Sequence, residues 1–410
     1  MKKIISVLTG LALVAGAAMA DGITFGSWGR GLWNVAANSG DDVVTDMHQS
    51  WGGLAPRTGI SVSGSTENVG FAVDMFANGA NGDKDKDTGI TKGITIGDNA
   101  LIWVKPIEQI KIVAGKKDQN ELRGDAAFGL WNWDRIGAVD KMVLEGWTFP
   151  DVFDGEGVAV IAYPVDGLTV GAGIPLSLEG TGATLENTYA HGANYAAAYA
   201  IDGIGTIKAA YMTKATAKDK DGKDKDYGVI AAAFDLTIVD GLYASVGAQI
   251  PTAHVFTSLD IDLKDPMNPK VTAFDVPTVV NAYARYSLDA LAVHLAVGTK
   301  LNTFDVKKAK KGDDAALDGQ VGFAIGAGAD YSLDNGIGFF GDVRYANGIY
   351  MKNTSADKSD CLTFGLGVEK NFSNGKIGIA FEGATNGNGR YTYEDNAFAW
   401  EIPVKVEYCF

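Results

Sequence analysis

FAWEIPVKVEYCF, residues 398–410, alternates apolar and charged side chains over most of its length. Side chains of a β-strand point alternately to its two faces, so one face of this segment is apolar and the other carries the charge. The apolar face holds Phe398, Trp400, Ile402, Val404, Val406, Tyr408 and Phe410, whereas Glu401, Lys405 and Glu407 lie on the other. The pattern is typical of a membrane β-strand with one face toward lipid and one toward water.

The N-terminal residues predict export. Lys2 and Lys3 precede an apolar run over residues 4–15, and Ala18-Met19-Ala20 supplies a small-residue cleavage site. These are the three parts of a secretory signal peptide. We therefore predict a signal peptide at residues 1–20 and a mature domain at residues 21–410, in the outer membrane.

Composition favours a closed barrel. Beyond the signal there is no apolar run of the roughly 18 residues that a membrane helix needs, and a closed barrel is the other way to satisfy every backbone group in lipid. The chain has 53 Gly, only 10 Pro and 10% aromatic residues. A soluble β-sandwich or solenoid is the alternative, but the signal peptide and the aromatic at position 410 favour the membrane barrel.

Two kinds of connection alternate along the chain. Short Asp-Gly, Asn-Gly and Pro-containing turns, typical of tight hairpins, lie at 65–68, 105–108, 164–167, 202–205, 239–241, 287–290, 332–336 and 371–375. Longer polar stretches lie at 37–56, 77–93, 117–156, 175–191, 215–225, 251–275, 302–318, 351–360 and 386–396. This alternation predicts an all-β, transmembrane antiparallel barrel of about 18 strands, with periplasmic turns and long extracellular loops.

This architecture resembles the porins of the Gram-negative outer membrane, and residues 406–410 resemble the terminal-aromatic signal that porins present to the barrel-assembly machinery. The resemblance implies assembly through Tyr408 and Phe410 and a third extracellular loop that folds inward. It implies passive diffusion of small hydrophilic solutes, and it makes a homotrimer in outer-membrane lipid a hypothesis. Two alternatives stay open: a channel selective for sugars or amino acids, and a structural or adhesive protein with a blocked lumen.

Strand parity assigns charged side chains to the water-facing wall of the lumen. The cationic members are Arg30, Lys111, Lys208, Arg285, Lys300, Arg344 and Lys405, and the acidic members are Asp74, Asp330, Asp342, Glu369, Glu382, Glu401 and Glu407. The two signs balance, so we expect a hydrated wall of mixed charge.

The third long connection, residues 117–156, is unlike the rest because it is rich in Trp and in charge. Such an apolar stretch is costly in water, and the barrel interior is the nearest surface that could bury it. The porin resemblance implies that it narrows the pore. The predicted constriction residues are Arg123, Asp125, Trp131, Trp133, Asp134, Arg135, Lys141 and Glu145.

The net charge of −15 argues against a nucleic-acid partner, for which a basic stripe is expected. Because the wall charges balance, the acidic excess falls to the loops, including Asp83, Asp85 and Asp87. An acidic mouth concentrates cations, which predicts weak cation selectivity.

No catalytic, metal or cofactor site is predicted. The chain has only 4 His, none paired at metal-ligand spacing, and no Ser or Asp signature marks one as part of a catalytic site. Cys361 and Cys409 fall at opposite rims of the predicted barrel, farther apart than the roughly 7 Å that a disulfide allows. We expect two free thiols or intermolecular contacts.

Small side chains supply the sequence argument for trimers. We assign Ala196 and Ala198 in one strand, and Ala231 and Ala233 two strands further on, to the lipid side, where small residues let barrels approach closely.

Overall fold

The computed structural model describes residues 22–39, 41–48, 57–78, 95–117, 152, 155–176, 192–218, 224–253, 256–262, 270–275, 277–301, 321–351, 360–385 and 398–410. The predicted signal peptide lies outside these residues, as do all eight predicted constriction residues.

The described residues form 21 strands and one short helix. The strands are β1 (Ile23–Ser39), β2 (Asp42–His48), β3 (Arg57–Ser65), β4 (Val69–Asn78), β5 (Thr95–Ile107), β6 (Ile110–Lys117), β7 (Gly155–Val165), β8 (Leu168–Pro175), β9 (Asn194–Ile201), β10 (Gly205–Lys218), β11 (Asp224–Leu236), β12 (Leu242–Pro251), β13 (Phe256–Asp262), β14 (Lys270–Asp275), β15 (Thr278–Leu288), β16 (Leu291–Leu301), β17 (Val321–Ser332), β18 (Ile337–Ala346), β19 (Cys361–Phe372), β20 (Gly375–Ala384) and β21 (Ala399–Cys409). The helix, α1, is Gly348–Met351 and follows β18.

Eighteen of these strands close into one antiparallel ring, which confirms the predicted architecture. Each ring strand pairs with its neighbours in chain order, leaving out β2, β13 and β14, and β1 closes the ring against β21. At this seam the Phe410 amide donates to Ser27 O at 2.7 Å, and the Ser27 amide donates to Phe410 O at 3.1 Å. A closed ring leaves no unpaired edge in the wall.

Eight short turns join successive strands on one side of the ring, at the positions that the turn chemistry predicts. Gly167, Gly241 and Gly336 have φ of 77°, 74° and 81°, the left-handed region that glycine adopts without strain. The ring strands that the longer connections join have their other ends on the opposite side of the ring.

The long connections differ from the prediction because some of them contain strand. Strand β2 pairs with the upper part of β1, and β13 pairs with β14 within the segment predicted as an irregular loop at 251–275. Strands β10 and β11 also pair as far as Lys218 and Asp224. Strand pairing therefore continues beyond the ring in these connections.

The two faces of the ring differ sharply. Large apolar side chains on the outer face are among the most exposed of the described residues, whereas the charged side chains of the inner face are mostly buried. This reverses the arrangement of a soluble protein and suits an apolar surrounding.

None of the helices in the described part of the chain is long and apolar enough to cross a bilayer.

Candidate functional site: the inner face of the barrel

The strand register places the predicted wall residues on the inner face. Residues directly opposite on neighbouring strands share a face. Arg344 pairs with Gly326 and Thr363, Glu382 with Gly365 and Glu401, and Lys405 with Gly378 and Leu32. The same pairing brings Arg30, Asp74, Lys111, Lys208, Arg285, Lys300, Asp330, Asp342, Glu369 and Glu407 to this side.

Strands β18 to β21 carry a dense network of ion pairs. Lys405 Nζ lies 3.1 Å from Glu369 Oε2, and Lys376 Nζ lies 3.8 Å from Glu407 Oε2. Arg344 Nε donates to Asp342 Oδ1 at 2.8 Å on the same strand. The sequence predicts an open hydrated wall, but here most of the charged groups are buried and paired. Pairing is what makes burial of a charge tolerable.

Glu382 and Glu401 are directly opposite each other on β20 and β21, and both are buried. The Asn34 side-chain amide on β1 donates to Glu401 Oε2 at 3.0 Å.

A second polar group lies on β10 to β12. Lys208 pairs with Asp235, which also accepts a hydrogen bond from the Ser245 hydroxyl at 2.8 Å. Both charges of the pair are satisfied within the wall.

His294 lies between two partners on β15 and β17. Its Nε2 is 2.7 Å from Asp330 Oδ2, and its Nδ1 is 2.8 Å from the Tyr283 hydroxyl. The imidazole therefore joins the Asp330 side chain to the Tyr283 hydroxyl through its two ring nitrogens. This chain fixes the Tyr283 ring against the inner wall.

Two tryptophans on the inner face were missed by the sequence reasoning, which sought aromatic contacts in the third loop. A Cβ on Gly59 would lie 2.4 Å from the Trp28 ring, and one on Gly70 would lie 2.5 Å from the Trp103 ring. Each ring therefore lies flat over a glycine of the next strand.

Cations accompany these rings. The Arg30 guanidinium carbon is 5.2 Å from the Trp28 ring centroid, and Lys111 Nζ is 5.5 Å from that of Trp103. Both distances suit cation–π contact. The available signal was Trp28-Gly29-Arg30, because residues two apart on a strand share a face.

Helix α1 brings Tyr350 against the inner wall. Lys300 Nζ donates to Tyr350 O at 2.9 Å and lies 4.4 Å from the centroid of its ring. Burial raises the pKa of the Tyr350 phenol, which keeps this group neutral.

Val152 is the one described residue of the third long connection between 118 and 154, and it lies on the inner wall. Its exposed fraction is 1%, and a Cβ on Gly173 would lie 2.4 Å from its Cγ1. It shares a buried cluster with Val113 and Ala159 of β6 and β7. The connection therefore passes inside the barrel at this point.

The lipid-side assignment of four alanines is wrong. Ala198 and Ala233 are directly opposite Lys208 on β10, and Ala196 and Ala231 are directly opposite Ala210 on the same face. All four therefore face inward, and Ala196, Ala231 and Ala233 are buried. Parity with Asp235, two positions after Ala233, was the signal that could have placed the β11 pair.

The predicted assembly residues lie at the seam. The Tyr408 and Phe410 ring centroids are 5.5 Å apart, and Phe410 is exposed. The Tyr408 hydroxyl is 2.8 Å from the Thr58 hydroxyl of β3. These rings form an apolar end to β21.

Comparison with solved structures identifies the fold. OccK9 (OpdG) of Pseudomonas aeruginosa matches at a TM-score of 0.52 and 9% identity over 96% of this chain and 99% of its own. OccK1 (OpdK) matches at 0.50 and 11% identity over 94% and 98%. OccK2 (OpdF) matches at 0.50 and 9% identity over 95% and 97%. These likenesses extend over nearly the whole barrel and concern its fold.

No family model matches the sequence, and no curated protein does. The closed ring, its apolar exterior and these likenesses show that the chain has the β-barrel fold of the OccK structures.

Proposed function

We propose that the barrel is a porin that lets small hydrophilic solutes and ions diffuse passively across the outer membrane, with weak cation selectivity. The observation that carries this proposal is the polar and charged inner face of a closed 18-strand ring. Barrels of about 16 to 18 strands are wide enough to leave an aqueous channel.

The position of Val152 in the third connection supports a constriction. Val152 is buried on the inner wall, and we propose that the third loop folds inward before it, as the porin resemblance implies. On that segment we assign the constriction to the charged and aromatic residues predicted from sequence, among them Arg123, Asp125 and Trp131. Facing charges of both signs orient polar solutes in a narrow passage.

The cation preference is assigned to the mouth. The wall residues predicted from the sequence balance, with seven cationic and seven acidic side chains, whereas the whole chain has a net charge of −15. Acidic loops, with Asp83, Asp85 and Asp87 among them, would raise the local cation concentration. Their effect would be screened by salt.

A selective channel is the second candidate, and the inner-face tryptophans favour it. Trp28 and Trp103 present flat rings with Arg30 and Lys111 beside them. Aromatic faces stack on ring-shaped solutes, and neighbouring cations orient their polar groups. The adhesive alternative has no corresponding observation.

Reconstitution into a planar lipid bilayer tests these functions. A general porin gives ohmic current steps that no solute saturates, and a selective channel gives steps that a sugar or amino acid blocks in a saturable way. A barrel that inserts but never conducts would contradict both and leave the adhesive function.

The expected partners are outer-membrane lipid, small solutes and the barrel-assembly machinery, which we propose recognises Tyr408 and Phe410. Removal of a signal peptide at residues 1–20 is part of this proposal. A homotrimer remains a hypothesis and now needs another contact surface, because the four alanines face inward. Cross-linking in mild detergent that yields only monomer would remove it.

We propose no enzymatic activity. Within the described residues His294 is bonded to Tyr283 and Asp330 inside the wall, an arrangement that holds side chains in place. Hydrolysis of peptide or ester substrates by the folded barrel, lost on His294→Gln, would overturn this.

A further inference from the structure

Helix α1 lies inside the barrel, and neither the turn residues nor the alternation of the strands predicts it. It follows β18 at the extracellular end of the barrel, and Tyr350 on it is 1% exposed. Tyr350 shares a buried cluster with residues of five consecutive ring strands, namely Tyr283, Ala296, Ala324, Ala346 and Cys361. The register places these five side chains on the inner face. The helix therefore lies inside the ring, against the wall.

The first turn of α1 is fixed by Asn347. Its side-chain oxygen accepts from the Tyr350 amide and from the Phe323 amide of β17, each at 3.0 Å. Its side-chain nitrogen donates to Val321 O at 3.0 Å. Asn347 thus caps the helix and joins it to the end of β17.

Two further side chains hold the helix from other directions. Asp360 accepts a hydrogen bond from the Gly348 amide at 2.8 Å and another from the Tyr345 hydroxyl. Lys300, which is buried in β16, donates to Tyr350 O and lies over its ring. Lys300 therefore contacts both the backbone and the ring of Tyr350, and anchors the helix to the wall.

Helix α1 and Val152 lie on opposite walls of the barrel. Val152 of the third connection packs on β6 to β8, and Tyr350 packs on β15 to β19. The same number of ring strands separates β7 from β18 in both directions, so these contacts lie on opposite walls. Gly173, which Val152 contacts, and Ala346, which Tyr350 contacts, lie near the extracellular ends of β8 and β18, so Val152 and Tyr350 lie in the same half of the barrel.

We propose that α1 narrows the pore from the wall opposite Val152, and that Tyr350 and Lys300 are the positioning residues that hold it there. The size limit for solutes is then set between α1 and the opposite wall that carries Val152. This inference rests on the proposed channel function.

Single-channel recording and solute permeation test the proposal. Tyr350→Ala and Lys300→Met release α1 from the wall, and conductance should rise on the order of 1.5-fold, because the narrowest cross-section limits flow. Larger sugars should enter proteoliposomes that exclude them with the wild type. Unchanged conductance and an unchanged size limit in both variants would overturn the proposal.

Matched controls separate this effect from loss of folding. Tyr350→Phe should behave as wild type, because the Tyr350 hydroxyl has no hydrogen-bond partner among the described residues. Tyr331→Ala removes an exposed tyrosine from β17 and should leave conductance unchanged. Far-UV circular dichroism verifies that every variant is a folded barrel.

Maleimide labelling of Cys361 tests the packing of α1 on the wall independently of channel recording. Cys361 is buried in the Tyr350 cluster, so in a Cys409→Ser background it should resist a maleimide, and Tyr350→Ala should make it react. A Cys361 that stays protected, or that reacts without a change in conductance, contradicts the proposed role. Absence of current in the wild type would instead refute the channel function.

Discussion

Glu369 and Lys405 form an ion pair across an intervening strand. Gly378 of β20 is directly opposite both residues, and its lack of a side chain lets them meet above it. The exposed fractions of the two residues are 2% and 0%. Charges so deeply buried depend on paired groups to offset their lost hydration, and Glu369 also lies 3.9 Å from Lys376 Nζ.

Lys405→Met should therefore lower the free energy of unfolding by about 3–5 kcal/mol, the usual cost of breaking a buried pair. The double variant Lys405→Met/Glu369→Gln should recover part of this loss, because no lone charge remains buried. Urea titration of the barrel in lipid vesicles measures both. Equal losses in the single and double variants would show that the pair is not coupled.

The loss of stability caused by a charge on the outer face of β19 should depend on how deep in the bilayer the residue lies. Leu366 and Phe372 are both 60% exposed on this face, Leu366 near the middle of the strand and Phe372 at its periplasmic end. We expect Leu366→Arg to cost about 2–4 kcal/mol and Phe372→Arg about 0–1 kcal/mol. The same urea titration compares the two variants. Equal losses in the free energy of unfolding would show that Leu366 lies no deeper in the bilayer than Phe372.

Both cysteines are free thiols in the structure, as the sequence predicts. Cys409 is exposed and Cys361 is buried. A maleimide should therefore label the folded protein once, at Cys409, and the unfolded protein twice. Mass spectrometry counts the labels, and a folded protein that resists labelling until it is reduced would reveal a disulfide.

The loop origin of cation selectivity predicts a dependence on salt. Asp83, Asp85 and Asp87 lie outside the described residues, and we expect their joint replacement by Asn to weaken cation preference at about 0.1 M salt, where the screening length is about 10 Å. Conductance near 1 M should hardly change. Replacing Lys84 and Lys86 by Gln is the matched control and should strengthen the preference.

Reversal potentials across a salt gradient measure this selectivity. Anion preference, or cation preference that persists near 1 M where screening is about 3 Å, would place the selecting charges in the constriction.

Much of the barrel follows from alternation, because a charged side chain labels its face. Glu401 and Lys405 mark the inner face of β21, and the register bears this out. Turn chemistry likewise locates the hairpins, since residues such as Gly241 and Gly336 need a left-handed backbone.

The face that a small residue occupies and the position of a short helix cannot be predicted in this way. Ala196 and Ala231 are compatible with lipid and with a packed interior, so their own chemistry labels neither face. Helix α1 has four residues, too few to show helical periodicity, and its place depends on Lys300, which is distant in sequence. The Trp28 contact likewise depends on Gly59 opposite, which only the register reveals.

The ring of strands is closed only when the seam between Ser27 and Phe410 has formed. Until β21 docks on β1, the same chain is an open sheet whose two outermost strands present unpaired backbone groups and an apolar face. Such an intermediate would invite pairing with other chains, so the hazard of aggregation belongs to the unclosed precursor. Formation of the hydrogen bonds between Ser27 and Phe410 is therefore the step that removes the risk of aggregation.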